Sequence, residues 1–238
     1  MKKLSLDRIL QSQGFGTRKG CRALIEDGDV TVAGNAVTSY KAEFDPEGLE
    51  FTVFDELWIY RRHLYLALNK PANYECSRKP SHHPGVHTLL PEQFTWRDVQ
   101  PVGRLDHDTT GLLLLSDDGD FIHAQSHPKH HQPKLYVATL AEAADQTLVD
   151  ALLAGVKLID EPAPIAAQHA LLRDPTHIEI VIAEGKYHQV KRMLAAAGNH
   201  CAALERSRIG GLELAGLGLA PGEWRYLDEH DLARLNGA

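Results

Sequence analysis

Leu6, Ile9 and Leu10 recur at helical spacing, and the run stops at Gly14-Phe15-Gly16. Thr17 then offers a cap to a second run carrying Cys21, Leu24 and Ile25, which ends near Gly28. Apolar residues three and four apart share one face of an α-helix, so the pattern predicts a short helical hairpin. Val30 and Val32 alternate with polar neighbours, Gly34-Asn35 supplies turn chemistry, and Val37 resumes the alternation, which predicts a small β-hairpin. This unit ends around Asp55, and a linker near residues 56–63 gives domains of 1–58 and 59–238.

Beyond the linker, Tyr65 to Asn69 reads as a short apolar strand that stops at Lys70-Pro71. Further strands are predicted over Leu112–Leu115, Leu135–Leu140, Ile178–Ala183 and Leu204–Ile209, and helices over Asp145–Leu153 and Gln189–Ala197. They alternate irregularly, so the expected class is α+β, not a repeating βαβ unit. Ser77 to Pro91, rich in Pro and His, reads as a surface loop. No solenoid repeat or low-complexity tract is visible.

With 238 residues and 43% hydrophobic content, the chain can bury one sizeable core and a small accessory domain. Apolar runs such as Gly111 to Leu115 are far shorter than a membrane span, and Lys2-Lys3 leads straight into an amphipathic pattern, so a cytoplasmic protein without membrane association is expected. Three widely spaced cysteines suggest neither disulfides nor a zinc ribbon. The net charge of −7 argues at first against nucleic acid, but its distribution changes the picture. Met1 to Leu24 holds six basic residues against Asp7, while Ile25 to Tyr60 holds nine acids and only Lys41. A second basic cluster, Lys186, Lys191, Arg192, Arg206 and Arg208, is opposed only by Glu205. Two separated basic patches fit a protein that grips RNA at two places; the plain alternative is solvated surface charge.

The most informative segment runs from Val102-Gly103-Arg104-Leu105-Asp106-His107-Asp108-Thr109-Thr110-Gly111 through four leucines to Ser116-Asp117-Asp118-Gly119. It sets a carboxylate on a loop just ahead of an apolar strand, where reactive groups tend to be held. Spacing alone leaves open a tight connection in which Asp106 or Asp108 bonds its own backbone. Gly-Arg-Leu-Asp followed by Thr-x-Gly-Leu-Leu-Leu-Leu and Asp-Gly resembles the signature of the RsuA/RluB branch of pseudouridine synthases. Leu68-Asn69-Lys70-Pro71, Lys134-Leu135-Tyr136-Val137 and Glu184-Gly185-Lys186-Tyr187-His188-Gln189-Val190-Lys191-Arg192-Met193 stand in the order of that family's other motifs.

The resemblance implies a catalytic domain with a mixed, mainly antiparallel sheet flanked by helices. It makes Asp106 the nucleophilic carboxylate, Tyr136 the aromatic residue against the base and Lys191 the cation paired with Asp106. A cation beside a desolvated carboxylate favours its charged form, and an aromatic ring can hold a detached base by stacking. Val190, Met193, Leu194 and Ala197 form an apolar stripe that leaves Lys191 and Arg192 off its centre. The target uridine must leave its stack, and Arg104 is placed to fill the gap; His188, Gln189 and Arg192 are further candidate RNA contacts.

The helix pair with Thr17-Arg18-Lys19, followed by Asp29-Val30-Thr31-Val32 and Gly34-Asn35, resembles the small RNA-binding domain of the ribosomal protein S-four type. That likeness implicates Arg8, Arg18, Lys19 and Arg22 in backbone contact. Lys191, where many relatives carry arginine, and the closing Glu205 to Gly211 and Leu219 to Arg225 stretches resemble the small-subunit subgroup. The implied substrate is therefore a uridine of 16S ribosomal RNA, of the position-516 type, with large-subunit RNA as runner-up. The expected partner is ribosomal RNA or a small-subunit assembly intermediate, and the chain is expected to be a monomer.

Isomerising uridine to pseudouridine adds and removes no atoms, so no cofactor or metal is expected. His82, His83, His87, His127, His130 and His131 lack a metal-site spacing; the resemblance assigns the last three, with Pro128 and Lys129, to RNA contact. A non-catalytic ribosome-assembly factor on the same scaffold is the competing class, and intact Asp106, Tyr136 and Lys191 weigh against it. A glycosidase would require two placed acids.

Overall fold

A computed structural model describes residues 2–126 and 132–237. The chain divides into two compact units: residues up to Leu64 with His87–Gln100 and Ser116–Asp118, and Tyr65–Val86 with Pro101–Leu115 and everything from Gly119 onward.

In the first unit, strand β1 (Leu4–Ser5) leads into helix α1 (Leu6–Ser12), and helix α2 (Arg18–Glu26) follows. Thr17 is extended and its hydroxyl accepts the Gly20 N–H at 3.2 Å, satisfying a donor that the helix start would leave open. Strands β2 (Val30–Val32), β3 (Asn35–Ala36), β5 (Glu50–Val53) and β6 (Glu56–Ile59) form a sheet in the order β3-β2-β5-β6, and β4 (Glu43–Phe44) pairs with β1. Leu6, Ile9, Leu10, Cys21 and Ile25 pack with Val30, Val32, Phe51 and Val53. The helical hairpin and the small β-hairpin thus fall where the apolar spacing puts them.

Residues 87–100 join this unit by means that hydrophobic spacing does not reveal. Gly14, at φ +90°, lies so close to helix α3 (Glu92–Trp96) that a Cβ would stand 2.0 Å from the Gln93 carbonyl oxygen. The buried Arg97 guanidinium contacts Asp117 at 2.6 Å and donates to Gln13 Oε1 at 3.0 Å, while Asp117 accepts the Leu64 N–H at 2.7 Å.

The second unit is built on a nine-stranded sheet. Its strands are β7 (Tyr65–Lys70), β8 (Gln100–Pro101), β9 (Thr110–Ser116), β10 (Lys134–Leu140), β11 (His169–Asp174), β12 (His177–Ile182), β13 (Cys201–Ile209), β14 (Leu212–Glu213) and β15 (Trp224–Tyr226). The main order is β11-β12-β10-β13-β9-β7-β15, with β14 on β13 and β8 on β9. Most pairs are antiparallel, whereas β13 and β9 run parallel, with Arg206 opposite Gly111. Leu112 to Leu115 are all buried, which explains why β9 reads as an unbroken leucine run: both faces of this strand are covered. A core of Ala67, Val102, Leu112, Leu114, Ile209, Leu212, Leu214, Leu217, Leu227 and Leu235 fills one side.

Helices α4 (Gly119–Ser126), α5 (Gln146–Ala154), α6 (Gln189–Ala196) and α7 (Glu229–Leu235) flank the sheet; α5 and α6 match the predicted pair. Helix α4 has no fully buried residue, and β11 buries only Ala170, so neither carries the periodicity by which elements are recognised. In the predicted surface loop, Val86 is buried and Val86–Leu89 forms a 3-10 turn, while Glu75 accepts the N–H groups of Ser81, His82 and His83. Among the described residues no helix is long and apolar enough to cross a membrane.

Candidate active site

Asp106 sits on the loop that enters β9. The loop leaves the sheet at Val102, whose N–H bonds Leu114 O at 2.8 Å, turns at Gly103 with φ +76°, and tightens where Thr109 N–H reaches Asp106 O at 3.2 Å. Lys70, at the end of β7, is wholly buried, and its ammonium donates to the carbonyl oxygens of Pro71, His107 and Thr109 at 3.0, 3.0 and 2.9 Å. Those three bonds compensate a charge that burial would otherwise disfavour, and burial pulls the Lys70 pKa below its ordinary value. The ammonium therefore fixes the loop on both sides of Asp108.

Helix α6 supplies the cation. Lys191 Nζ lies 3.0 Å from Asp106 Oδ2 and 2.6 Å from Asp108 Oδ1. Burial opposes the charge on Lys191, yet the two carboxylates outweigh it and hold its pKa above the usual lysine value. Asp108 is pulled the other way: against burial, Lys191 keeps its carboxyl below the ordinary range. His188 caps the helix in the left-handed region at φ +47°, with Nε2 3.2 Å from Asp106 Oδ1. The exposed Tyr187 ring stacks on the His188 ring at 3.8 Å. Both oxygens of Asp106 are thus engaged, although its side chain is still 25% exposed.

Asp106 opens onto a cavity of about 170 Å³ whose wall includes Arg104, Thr109, Lys134, Tyr136 and Arg206. Tyr136 is 8% exposed and lies directly across from Arg206 on the neighbouring strand. Lys134 donates to Gln132 O at 3.0 Å; burial, with Arg206 adding to it, pushes its pKa down to about 8. A carboxylate backed by an ammonium, facing a cavity that a phenol also lines, can support covalent chemistry at a small ring-bearing substrate.

The structure therefore brings Asp106, Tyr136, Lys191, His188 and Arg104 together. Gln189 also lines the cavity, but its side chain is buried and binds its own turn, accepting Lys186 N–H at 3.0 Å. Arg192 is tethered to Tyr187 O at 3.2 Å and to Asp160 at 3.6 Å. In the first unit Arg8 and Lys19 are exposed, while Arg18 and Arg22 each bond Asp7 at 2.8 Å and Arg22 lies over the Tyr40 ring at 4.6 Å. His127, His130 and His131 lie outside the described residues. Spacing did not single out Lys70, Thr109, Lys134 or Arg206 as site residues. A lysine closing an apolar strand and an arginine inside one were the available signals.

The chain is similar to known proteins over almost all of its length. The family pattern of the RNA pseudouridylate synthases matches residues 64–196. Ribosomal small subunit pseudouridine synthase A of Escherichia coli (strain K12) is 37% identical over 234 residues, covering 98% of this chain and 100% of that protein. The RNA pseudouridine synthase YtzG of Bacillus subtilis (strain 168) is 36% identical over 237 residues, covering 98% of each. A crystal structure of a pseudouridylate synthase superposes with a TM-score of 0.68 at 34% identity, covering 98% of this chain and 99% of that one. With its characteristic segment matched across more than half its length and relatives aligned from end to end, the chain belongs to the RNA pseudouridylate synthase family.

Proposed function

We propose that this enzyme converts a uridine of small-subunit ribosomal RNA to pseudouridine, with Asp106 as the nucleophile. The observation that carries the reading is the Asp106 carboxylate on the cavity wall, 3.0 Å from the Lys191 ammonium. Asp106 attacks the nucleoside while Lys191 balances its charge, and the Tyr136 ring holds the detached uracil during its rotation. Arg104, exposed at the rim, enters the stack that the uridine vacates. The small-subunit choice is supported by the Escherichia coli relative, whose name states that substrate.

Residues 1–58, within the first unit, serve as an S-four-like RNA-binding domain, with Arg8, Arg18, Lys19 and Arg22 toward the phosphates. His188, Gln189 and Arg192 support RNA at the catalytic end. The partner is ribosomal RNA or an assembling small subunit in the cytoplasm, and the protein acts as a monomer. Asp106→Asn should fold and bind RNA but form no pseudouridine; product from that variant would exclude the nucleophile. Pseudouridine mapping in ribosomal RNA from cells lacking the gene should show loss of a 16S site; loss confined to the large subunit would exclude the substrate.

A further inference from the structure

Arg206 is a cation sealed in the sheet without an ion-paired carboxylate among the described residues. It is 2% exposed, its Nε donates to Leu112 O at 2.8 Å, and its Nη2, shielded from solvent, has no hydrogen-bond partner. The Thr109 hydroxyl is likewise buried and unpartnered. Both residues line the cavity with Asp106 and Tyr136, as does Lys134, whose ammonium is close enough to Arg206 to feel its charge. Leaving a buried donor unmade is costly, and a cluster of such donors on one wall indicates a polar guest.

We propose that Arg206 and Thr109, with Lys134, bind the oxygens of the uracil ring and stabilise the negative charge the ring carries while it is detached from the sugar. The inference rests on the cavity being the uridine site. When the C1′–N1 bond breaks, its electron pair leaves with the base, giving a uracil monoanion whose charge spreads over N1, O2 and O4. The sugar carbon is held by Asp106. After the ring has turned, an electron pair at C5 forms the C1′–C5 bond and the Asp106 oxygen is released. The C5 proton is lost, and N1 gains one. The charge exists only between the two bonds, so donors left unmade in the resting site are matched to the intermediate rather than to the neutral substrate. The Nε bond to Leu112 O anchors one edge of the guanidinium and leaves Nη2 for the ring.

The test compares two leaving groups. RNA carrying tritium at C5 of the target uridine reports turnover by tritium release, and the same RNA with 5-fluorouridine at that position reports consumption of the nucleoside. Fluorine withdraws electrons, so its base anion requires less help. Arg206→Gln should lower kcat on uridine about 100-fold, the usual loss on removing one charge-stabilising donor, with KM changed by less than about threefold. On 5-fluorouridine the deficit should shrink at least about tenfold. Lys134→Met, which removes a side chain bonded only to a local carbonyl, should show the same differential at about tenfold loss, and it decides the matter if Arg206→Gln fails to fold. Equal deficits on both substrates, or a loss confined to KM, would overturn the proposal. A wild-type enzyme that makes no pseudouridine would instead defeat the functional reading beneath it.

Discussion

Asp7, in the first unit, receives the Ser5 hydroxyl at 2.6 Å and the Nε groups of Arg18 and Arg22 at 2.8 Å, and its side chain is 1% exposed. Asp106, in the second, accepts from Lys191 at 3.0 Å, has His188 Nε2 at 3.2 Å and stays a quarter exposed beside a cavity. Each is a carboxylate with a cationic partner. At Asp7 every direction is filled, and although burial opposes it, the bonds from Ser5, Arg22 and Arg18 hold the carboxyl far below its usual range. At Asp106 the partners leave one side open. Partner type does not separate a sealed carboxylate from one that a ligand can reach; what remains unoccupied around it does.

Asp106→Ala gives the largest expected effect. Turnover by tritium release should fall at least about a thousandfold with the melting temperature nearly unchanged, because Lys191 keeps Asp108. A substantial fall in melting temperature would erase the contrast. Gly111→Ala should lose activity and stability together, by about 3 kcal/mol in denaturant melts. At φ +101° its added Cβ would stand 2.3 Å from Arg206 O. That joint loss identifies a lesion in the scaffold. Asp7→Asn should cost about 2 kcal/mol, discounted because both arginines reach solvent, and kcat of the folded protein should not change.

The same residue sets the acid response. A carboxyl whose folded pKa is depressed contributes stability above its unfolded value, about 4, and loses it as the pH falls toward the folded value. Melts between pH 7 and 3 should therefore show less acid destabilisation in Asp7→Asn than in the wild type, and identical slopes would contradict the bond pattern around Asp7. Least in size, Arg8→Gln and Lys19→Gln should each reduce the salt slope of RNA binding by about one, measured by fluorescence titration. Arg18→Gln should reduce it less, since Asp7 already neutralises that guanidinium.

Legibility in the sequence followed periodicity. The helical hairpin, the β9 leucine run and α6 advertise themselves by regular apolar spacing, whereas α4, β11 and α7 bury too little to do so. At the site, the Asp106 and Lys191 pairing was anticipated through ordered motifs, 85 residues apart, and the two side chains do meet. Lys70 and Arg206 stand in a motif and a basic cluster, but nothing in the sequence marks their buried bonds, because their partners are backbone carbonyls, which every residue carries. Likewise, the Arg97 and Asp117 pair that ties residues 87–100 to the first unit consists of two charges of an ordinary surface type.

Gly111 gives one consequence of wider reach. Its missing side chain lets β9 and β13 run parallel at close quarters, setting Gly111 against Arg206. Strand neighbours point alternately up and down, so a slip of one residue would turn the guanidinium to the opposite face of the sheet. The glycine in the Thr-x-Gly-Leu-Leu signature thus works as an alignment pin, registering two pieces of machinery encoded far apart in the gene, and an insertion of a single codon between Asp106 and Gly111 should be harder to tolerate than many substitutions of the groups it aligns.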